Sequence, residues 1–445
     1  MAASPPPTPP SRAIRDDERR FKMINSPCEW IEDYRPGSYH PVHLGDLFNN
    51  GQYKIIRKLG EGSYSTVWLA RDIINGKYVA LKILVSDASG QTSEVQILHT
   101  ISDCAPSEGQ RYITQLLGEF EHSGPNGRHK CLVFEPMGPS VNSMVEELPQ
   151  FKPRKRHMKV RYPPDMAKGI LKQSLQALAF LHDNGIAHGD FQPGNMLFTV
   201  PDIDSIPEEE LRQEENVENH SISPLVERID GKQDVWAPIY LCIAQPLAPF
   251  TDYAKGFKIK LSDMGGGLPT AYFFSEPPQK PVTPVGLRAP EMIFKGEVNK
   301  TLDVWSFGCI VFELMTGQQL FCIPGSDDED DEHLLTLTER LGPLPDELFY
   351  QWKTSSLYFT PERTLFNVAL GGVADGEEPL MLEQESMEEV FDKAAPEMDE
   401  EESRQVKTLI RWILQYDPSK RPSPAEILRD PWFTEVDGTT LKESS

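Results

Sequence analysis

The octapeptide His188-Gly189-Asp190-Phe191-Gln192-Pro193-Gly194-Asn195 is the stretch from which the fold of this chain can be inferred. It follows a run with helical periodicity over residues 164–184 and precedes a short apolar run at 196–198. Its aspartate and asparagine lie five positions apart, so one loop carries a carboxylate and an amide. Alone the octapeptide is weak evidence, because similar stretches occur by chance in many loops. Its meaning depends on the motifs on either side.

A strand–turn–strand pattern lies upstream, over residues 53–70, and its turn reads Gly60-Glu61-Gly62-Ser63-Tyr64-Ser65. Small residues in a hairpin turn let backbone N–H groups approach phosphates without a steric clash. A β-rich run then ends in Lys82, and a helical pattern over residues 91–101 carries Glu94 near its start. The turn alone is weak evidence, since a third glycine is replaced by serine. The order of the three features strengthens the interpretation.

The second half of the chain adds further motifs in a fixed order. Residues 131–138 predict a buried strand that ends in a linker, and residues 257–265 predict a strand that leads into Asp263-Met264-Gly265. Residues 301–314 are apolar on every side of a helix, which indicates a buried helix. Leu287-Arg288-Ala289-Pro290-Glu291 precedes this helix, and Arg421 follows it near the end of the chain.

Taken in order, these landmarks resemble those of protein kinases. The resemblance implies an α+β, bilobal fold with a small β-rich N-lobe and a larger helical C-lobe. It implies ATP and Mg²⁺ as cofactors, with Asn195 and Asp263 holding the metal. Asp190 would accept the proton of the substrate hydroxyl. The remaining catalytic residues that it implies are Lys82, Glu94 and Gln192.

The resemblance also assigns the nucleotide site and two structural pairs. Residues 59–67 would cover the phosphates, the linker after Phe134 would bind the adenine edge, and Leu197 would lie beneath the adenine. Asp303 would bond back to the 188–195 loop, and Arg421 would pair with Glu291. The residues implied for the nucleotide site are Leu59, Gly60, Glu61, Gly62, Ser63, Tyr64, Ser65, Thr66, Val67, Ala80, Lys82, Phe134, Glu135, Met137 and Leu197.

Finer features are similar to the SR-protein-specific kinase (SRPK) family. They are Glu32-Asp33-Tyr34, Gly37–Val42, Gly45–Phe48, Ser65–Leu69, Asp331–His333, Leu341–Pro345 and a spacer between the 188–195 loop and Asp263. The resemblance covers roughly residues 28 to 435. It implies a serine/threonine kinase whose protein substrates are basic and Arg/Ser-rich. In the best-known members these are splicing factors, which links the family to mRNA splicing regulation.

Three positions depart from the kinase pattern. Gly189 replaces an arginine that reads a phosphorylated activation segment, so activation by such phosphorylation is not expected. Gln192 replaces a lysine that touches the γ-phosphate, and the loss of one charged contact can cost about 10²-fold in rate. Pro284, four residues before Arg288, lies near the usual place of a threonine that contacts the catalytic aspartate.

The predicted domain organisation has four parts. Residues 1–27 form a disordered Pro-rich tail, 28–52 an ordered N-terminal extension, 53–435 the kinase domain and 436–445 a tail. Within the kinase domain, the N-lobe spans 53–135 and the C-lobe 138–435. Residues 201–258 are an insertion, of which 201–223 is predicted to be a flexible loop and 235–250 to pack on the large lobe.

Composition limits the classes of function. The formal net charge is −24, with 68 acidic against 44 basic residues, which argues against direct nucleic-acid binding and is compatible with a basic partner. The six cysteines form no CxxC pair, so we expect neither a zinc site nor a disulfide framework. No apolar run predicts a membrane span or secretory signal. We expect a monomer in the cytoplasm and nucleus.

Two alternatives remain open from the sequence. Gln192 motivates a pseudokinase, a nucleotide-binding scaffold with little or no turnover. The presence of five other residues argues against it: Lys82, Glu94, Asp190, Asn195 and Asp263. A small-molecule phosphotransferase would keep the chemistry and change the acceptor. The complete set of motifs in the second half of the chain disfavours that alternative.

Overall fold

The computed structural model describes residues 8–90, 93–104, 107–153, 160–251, 253, 256–265, 271–276, 282–294, 298–323, 325 and 327–434. The chain divides into two compact units. Unit 1 comprises Met1–Pro106, Ile113–Met144 and Met196–Ala271, and unit 2 comprises Ser107–Tyr112, Val145–Asn195 and Tyr272–Ser445. The predicted C-terminal tail lies outside the described residues.

The described residues contain both strands and α-helices. In chain order, the strands are β1 (Leu47–Phe48), β2 (Tyr53–Gly62), β3 (Ser65–Asp72), β4 (Lys77–Leu84), β5 (Leu116–Gly124), β6 (Gly127–Phe134), β7 (Met137–Ser140), β8 (Ile186–Ala187), β9 (Met196–Thr199), β10 (Ile259–Leu261) and β11 (Tyr272–Phe273). The α-helices are α1 (Ser93–Asp103), α2 (Val141–Glu147), α3 (Pro164–Asp183), α4 (Glu208–Leu211), α5 (Pro290–Ile293), α6 (Thr301–Thr316), α7 (Glu329–Leu341), α8 (Asp346–Phe349), α9 (Met387–Ala394), α10 (Glu400–Ile413), α11 (Pro424–Ile427) and α12 (Pro431–Thr434).

Unit 1 is built on an antiparallel six-stranded sheet in the order β1-β2-β3-β4-β6-β5. Strand β4 is central, and every residue after its first is buried, so it is apolar along most of its length. Edge strand β5 alternates between exposed and half-buried positions, as expected of a strand with one face towards solvent. A second sheet, in the order β10-β9-β7, also lies in unit 1. The predicted α+β class is confirmed.

The insertion belongs to unit 1, which corrects the prediction that its apolar part packs on the large lobe. Ile222, Tyr240 and Cys242 share a buried cluster with Trp68 and Leu81 of the six-stranded sheet. The insertion packs here because the face of the sheet that carries Trp68 and Leu81 is apolar. Contact between this face and the apolar residues of the insertion removes both surfaces from water.

The region predicted as a flexible loop, 201–223, also packs on unit 1. Ile203 and Leu211 lie in a buried cluster with Ile56 of β2 and Leu69 of β3. The Gln213 main-chain nitrogen donates to the Ile56 carbonyl at 2.9 Å. Although the segment is acidic overall, it contains a few apolar residues that are buried against the sheet. The prediction of a flexible loop is therefore wrong for Ile203, Leu211 and Gln213.

The N-terminal segment differs from the predicted disordered tail. Ile14 and Phe21 are buried, and Phe21 forms an antiparallel bridge with Arg228 of the insertion. The main chain of Ile229 donates to the carbonyl of Arg20 at 2.9 Å. The segment is ordered because the insertion supplies partners that composition alone does not reveal. Residues 1–7 lie outside the described residues.

Unit 2 is helical and is organised around α6, as the apolar stretch 301–314 predicts. Nearly every residue of α6 is buried, and the helix packs against α3, α9 and α10. Gly308 allows the close approach of α10, since a Cβ atom there would lie 2.7 Å from side-chain carbons of Ile413 and Leu414. Gly317, with φ +74°, ends the helix in a left-handed residue.

Three neighbouring histidines, His40, His122 and His129, should make the stability of unit 1 depend on pH. The ring of His40 lies 4.7 Å from that of His122 and 5.0 Å from that of His129, centroid to centroid. Burial, reinforced by the neighbouring histidines, lowers the pKa of His40 to about 3, and burial also lowers the pKa values of His122 and His129. Asp46 opposes the shift at His40.

We expect the free energy of unfolding to fall as pH decreases from 7 towards 5. The unfolded chain takes up protons below a histidine pKa of about 6.5, whereas folded His40 stays neutral down to a pKa of about 3. A histidine as deeply buried as His40 contributes up to about 1.4 kcal/mol per pH unit in this window. Urea denaturation across this range should show a smaller slope for His40→Phe. The same slope in wild type and His40→Phe would contradict the assignment, and exposed His99→Asn is the control.

Candidate active site

The glycine-rich turn is a tight hairpin between β2 and β3. Gly62 pairs with Ser65, which leaves Ser63 and Tyr64 at the exposed tip. Thr66 is buried, and its hydroxyl accepts a hydrogen bond from the Trp68 indole at 2.9 Å. Of the residues predicted to cover the phosphates, those at the tip are therefore exposed, whereas the side chain of Thr66 points into the sheet.

Lys82 lies in the central strand β4 and is the hub of the polar cluster in unit 1. Its Nζ donates to Glu94 Oε1 at 2.7 Å, to Asp263 Oδ1 at 2.9 Å and to the Gly265 carbonyl at 2.8 Å. Burial acts to lower the pKa of Lys82, but the carboxylates of Glu94 and Asp263 outweigh it and raise that pKa above its usual value. The ammonium is therefore charged at neutral pH.

Asp263 follows β10 in a left-handed backbone conformation, with φ +62°. Few non-glycine residues adopt this conformation, although aspartate does so more readily than most, and such residues are frequent at functional sites. The next side chain, Met264, is buried and anchors the segment. The Asp263 side chain remains 42% exposed, so its carboxylate is accessible while it binds Lys82.

The 188–195 loop in unit 2 is held by Asp303 of α6. The Asp303 carboxylate accepts from the main chain of His188 and of Gly189, both at 2.8 Å, and lies 2.9 Å from His182 Nε2. The predicted bond from Asp303 to this loop is confirmed. Gly189 has φ +74°, a conformation that glycine adopts without strain.

Within this loop, two amide side chains orient the carboxylate of Asp190. Gln192 Nε2 donates to Asp190 Oδ1 at 2.7 Å, and Asn195 Nδ2 donates to Asp190 Oδ2 at 2.9 Å. Asn195 Nδ2 also lies 2.9 Å from the Asp190 carbonyl. Gln192 thus contacts the carboxylate through a neutral donor, in the position where a lysine is usual.

Thr283 is a residue that the sequence analysis missed. It is 2% exposed, and its hydroxyl donates to the carbonyl of Gly189 at 2.6 Å. Its own carbonyl accepts from Arg288 Nε at 2.9 Å. Pro284 lies near the position where the resemblance to protein kinases places this threonine. The structure corrects this, since the adjacent Thr283 makes the contact with the loop.

The predicted adenine-binding segment lies at the end of β6 and the start of β7. Phe134 pairs with Ala80 of β4, and Met137 is buried. The Glu135 carboxylate binds Lys260 Nζ at 2.5 and 2.8 Å, an ion pair that the sequence did not suggest. Leu197 is half-buried in β9. Because the Glu135 side chain is engaged by Lys260, the backbone is the part of this residue suited to binding a base.

The structure therefore groups the predicted catalytic residues in two sets. Lys82, Glu94 and Asp263 meet in unit 1, and Asp190, Gln192 and Asn195 meet in unit 2. The predicted pair of Arg421 with Glu291 is confirmed in unit 2. Arg421 donates two hydrogen bonds to Glu291, at 2.5 and 2.7 Å, and its side chain has no exposed area.

Comparison with known proteins agrees with this arrangement. A family model described as "Protein kinase domain" matches residues 53–204 and 250–433, with an interruption inside the insertion. The chain is 31% identical over 430 residues to the serine/threonine-protein kinase SRPK of Physarum polycephalum, with 93% of each chain covered. It is 26% identical to protein kinase dsk1 of Schizosaccharomyces pombe, covering 96% of this chain and 89% of the relative.

More distant similarities extend the comparison. The chain is 24% identical to SRSF protein kinase 3 of Homo sapiens, covering 90% of this chain and 89% of the relative. A solved kinase-domain structure has a TM-score of 0.59 at 22% identity, covering 89% of this chain and 98% of that chain. This last likeness shows the fold.

The chain belongs to the protein kinase family. Within it, the similarity to the Physarum enzyme over nearly the whole length shows a member of the SR-protein-specific kinases, and the chain is a serine/threonine protein kinase. The predicted family, fold and enzyme class are confirmed. None of these comparisons favours the pseudokinase alternative, and the protein kinase match disfavours a small-molecule acceptor. Among the described residues, no helix is both long and apolar enough to cross a membrane.

Proposed function

We propose that this kinase transfers the γ-phosphate of ATP, with Mg²⁺, to serines in Arg/Ser-rich proteins. The observation that best supports nucleotide use is the cluster around Lys82. A charged ammonium, held between Glu94 and Asp263, lies in the strand next to the glycine-rich hairpin. An ammonium in this position is suited to binding phosphate oxygens, and Glu94 fixes its orientation.

The residues present fit a magnesium ion that is bound mainly through phosphates. Mg²⁺ prefers oxygen ligands and is commonly held by one or two protein side chains together with substrate phosphates and water. The Asp263 carboxylate of unit 1, which is 42% exposed, would supply one such ligand, and the role of Asn195 in unit 2 remains a prediction from the resemblance to protein kinases. Among the described residues, no group of three or more His, Cys, Asp or Glu side chains could hold a metal. Bound Mg²⁺ would neutralise charge on the phosphates.

Asp190 would accept the proton of the substrate hydroxyl. Gln192 and Asn195 each donate to one of its carboxylate oxygens, which fixes the plane of the carboxylate. Thr283 and Asp303 hold the loop from either side of Gly189, through its carbonyl and its main-chain nitrogen. Catalysis would then rest mainly on the positioning of the hydroxyl and the phosphate, with proton transfer at Asp190.

The proposed acceptor is a serine in a basic, Arg-rich sequence. The chain carries a formal net charge of −24, and a relative is named for SRSF proteins. Helix α7 in unit 2 begins with four consecutive acidic residues. A strongly acidic surface raises the encounter rate with cationic peptides, and this effect weakens as salt screens the charges.

We expect the purified protein to phosphorylate an Arg/Ser repeat peptide in the presence of ATP and Mg²⁺. The value of kcat/KM should fall about tenfold or more as added NaCl rises to about 0.5 M, because salt screens the attraction between peptide and enzyme. A peptide with the same serines and every arginine replaced by glutamine is the matched control. It should be a poorer substrate with a nearly flat salt response.

Equal rates on the two peptides, or a flat salt response on the Arg/Ser peptide, would contradict the proposed substrate class. Absence of transfer to any protein or peptide, with retained ATP binding, would instead favour the scaffold alternative. We further propose that the enzyme is a monomer and works in the cytoplasm and nucleus, where splicing factors would be met. Light scattering and imaging of a fluorescent fusion test these two points.

A further inference from the structure

A buried charge lies just before the glycine-rich turn. Lys58 is the residue two positions before Gly60 in β2, and its side chain has no exposed area. Its Nζ forms an ion pair with Glu29, lies 3.1 Å from Glu61 Oε2 and donates to the carbonyl of Cys242 at 3.1 Å. Three different parts of the chain therefore meet at one ammonium group.

The positive charge of Lys58 is balanced by the carboxylates of Glu29 and Glu61. Burial acts to lower the pKa of Lys58, but the carboxylates of Glu29 and Glu61 outweigh it and raise that pKa above its usual value. Glu29 is itself buried, and its second oxygen accepts the hydroxyl of Tyr34. Glu61, by contrast, belongs to the glycine-rich turn and is one quarter exposed. The ion pairs thus join the turn to the N-terminal extension.

The insertion fixes the same part of β2 through its backbone. The Lys58 main-chain nitrogen donates to Gln213 Oε1 at 2.8 Å, and the Gln245 main-chain nitrogen donates to the Lys58 carbonyl at 2.9 Å. The segment that contains β1 is hydrogen-bonded to β2 as far as Ile55, and the insertion bonds the same edge of β2 from Ile56 onwards. The strand that carries the glycine-rich turn is thereby held along its edge.

A second tie reaches the turn itself. The hydroxyl of Tyr39, in the N-terminal extension, donates to the carbonyl of Gly62 at 2.6 Å. Tyr39 is buried, and its ring lies 5.7 Å from that of Tyr34. Two of the glycine-rich residues, Glu61 and Gly62, are therefore attached to a segment that lies before the first long strand of the sheet.

We propose that Lys58, Glu29 and Tyr39 are positioning residues that hold the glycine-rich turn over the nucleotide phosphates, so that the N-terminal extension raises the affinity for ATP. The inference rests on the nucleotide site proposed above. A turn that is held in place loses less conformational freedom when ATP binds, which favours binding. Release of the turn should therefore weaken ATP binding more than it slows the chemical step.

The test uses two mild substitutions in the full chain, Tyr39→Phe and Glu61→Gln. Each removes one attachment of the turn and keeps the size of the side chain. KM and Kd for ATP should rise about three- to tenfold, the range expected for one buried hydrogen bond, while kcat changes by less than about twofold. Amide hydrogen exchange of residues 60–64 should become faster.

Tyr78→Phe is the matched control for Tyr39→Phe. The Tyr78 hydroxyl donates to the Ile206 carbonyl of the insertion at 3.1 Å, away from the turn. The Tyr78→Phe substitution removes the same kind of hydrogen bond as Tyr39→Phe. It should leave KM for ATP and the amide hydrogen exchange of residues 60–64 unchanged. All measurements are made well below the melting temperature of each variant, so that global unfolding does not contribute.

Unchanged KM and exchange in both variants of the turn, or equal effects in Tyr78→Phe, would overturn the inference. A lower kcat at constant KM would overturn it as well, because it would indicate a role in the chemical step. The exchange experiment needs no nucleotide. A wild-type protein that fails to bind ATP would therefore refute the proposed nucleotide site, while faster exchange in the two variants would still show that these contacts hold the turn.

Discussion

Asp190→Asn should lower kcat by about 10³-fold or more while leaving the affinity for ATP nearly unchanged. The substitution keeps the size of the side chain and removes the group that accepts the hydroxyl proton, and such proton transfer contributes about 10²- to 10⁴-fold to rates. Gln192 and Asn195 would then face an amide in place of a carboxylate oxygen, which also disturbs the orientation of the side chain. Transfer of labelled phosphate to peptide and direct ATP titration measure the two quantities.

Asp183→Asn is the control, at the exposed end of the helix that leads into the same loop. It should retain wild-type kcat and ATP affinity. Full activity of Asp190→Asn would refute the assignment of Asp190. Loss of ATP binding together with kcat would show that the residue supports the structure of the site instead of the proton transfer.

Arg421→Met should lower the free energy of unfolding by about 3 to 5 kcal/mol, because it leaves the Glu291 carboxylate buried without its partner. The Arg421 side chain is fully buried, binds both oxygens of Glu291 and lies 4.9 Å from the centre of the Trp305 ring. Loss of this ion pair removes charge-assisted hydrogen bonds that water cannot replace. Urea denaturation followed by fluorescence gives the measurement.

Two further variants complete the experiment. Arg404→Met removes an ion pair with Glu401 in which both side chains are more than half exposed, so its effect should remain below about 1 kcal/mol. The double variant Arg421→Met/Glu291→Leu removes both buried charges and should recover part of the lost stability. A loss for Arg421→Met no larger than that for Arg404→Met would contradict the structural role of the pair.

The positions of the catalytic side chains could be predicted from sequence because each lies in a short motif with fixed local geometry. Lys82 ends a β-rich run, Glu94 begins a helical pattern, and Asp190 and Asn195 share one loop. Their roles were implied by the resemblance to protein kinases, whereas the hydrogen bonds of Gln192 and Asn195 to Asp190 are visible only in the structure. The resemblance to protein kinases likewise implied the role of Asp303 in α6. The apolar pattern of this helix predicted only that it is buried, and a buried carboxylate needs hydrogen-bond partners.

Thr283 was missed because the prediction counted backwards from Arg288. A short 3-10 turn over Val285–Leu287 lies between Thr283 and Arg288, and the spacing to Arg288 does not reveal which residue before this turn contacts the loop. The sequence contains no signal for such a turn other than Pro284 and Gly286. Contacts that depend on the exact path of a loop are thus beyond what motif spacing can give.

The insertion and the N-terminal segment were misjudged for another reason. Their composition is acidic, polar or Pro-rich, which is typical of disordered segments, and their apolar residues are widely spaced. Burial of Phe21, Ile222 and Leu211 requires surfaces supplied by distant parts of the chain. Sequence patterns report the apolar residues of a segment but not the partner that covers them.

The discontinuous make-up of unit 1 has a consequence for synthesis on the ribosome. This unit needs residues up to Ala271, although its first long strand is complete by Gly62. At about 5 to 20 residues per second, roughly 6 to 25 s separate the translation of Met144 from that of Ala271. During the part of this interval that precedes the translation of Gln213 and Gln245, the backbone at Ile56 and Lys58 lacks the hydrogen bonds that these two residues later provide. The nascent protein therefore passes through a state with an open strand edge, which is able to pair with other chains.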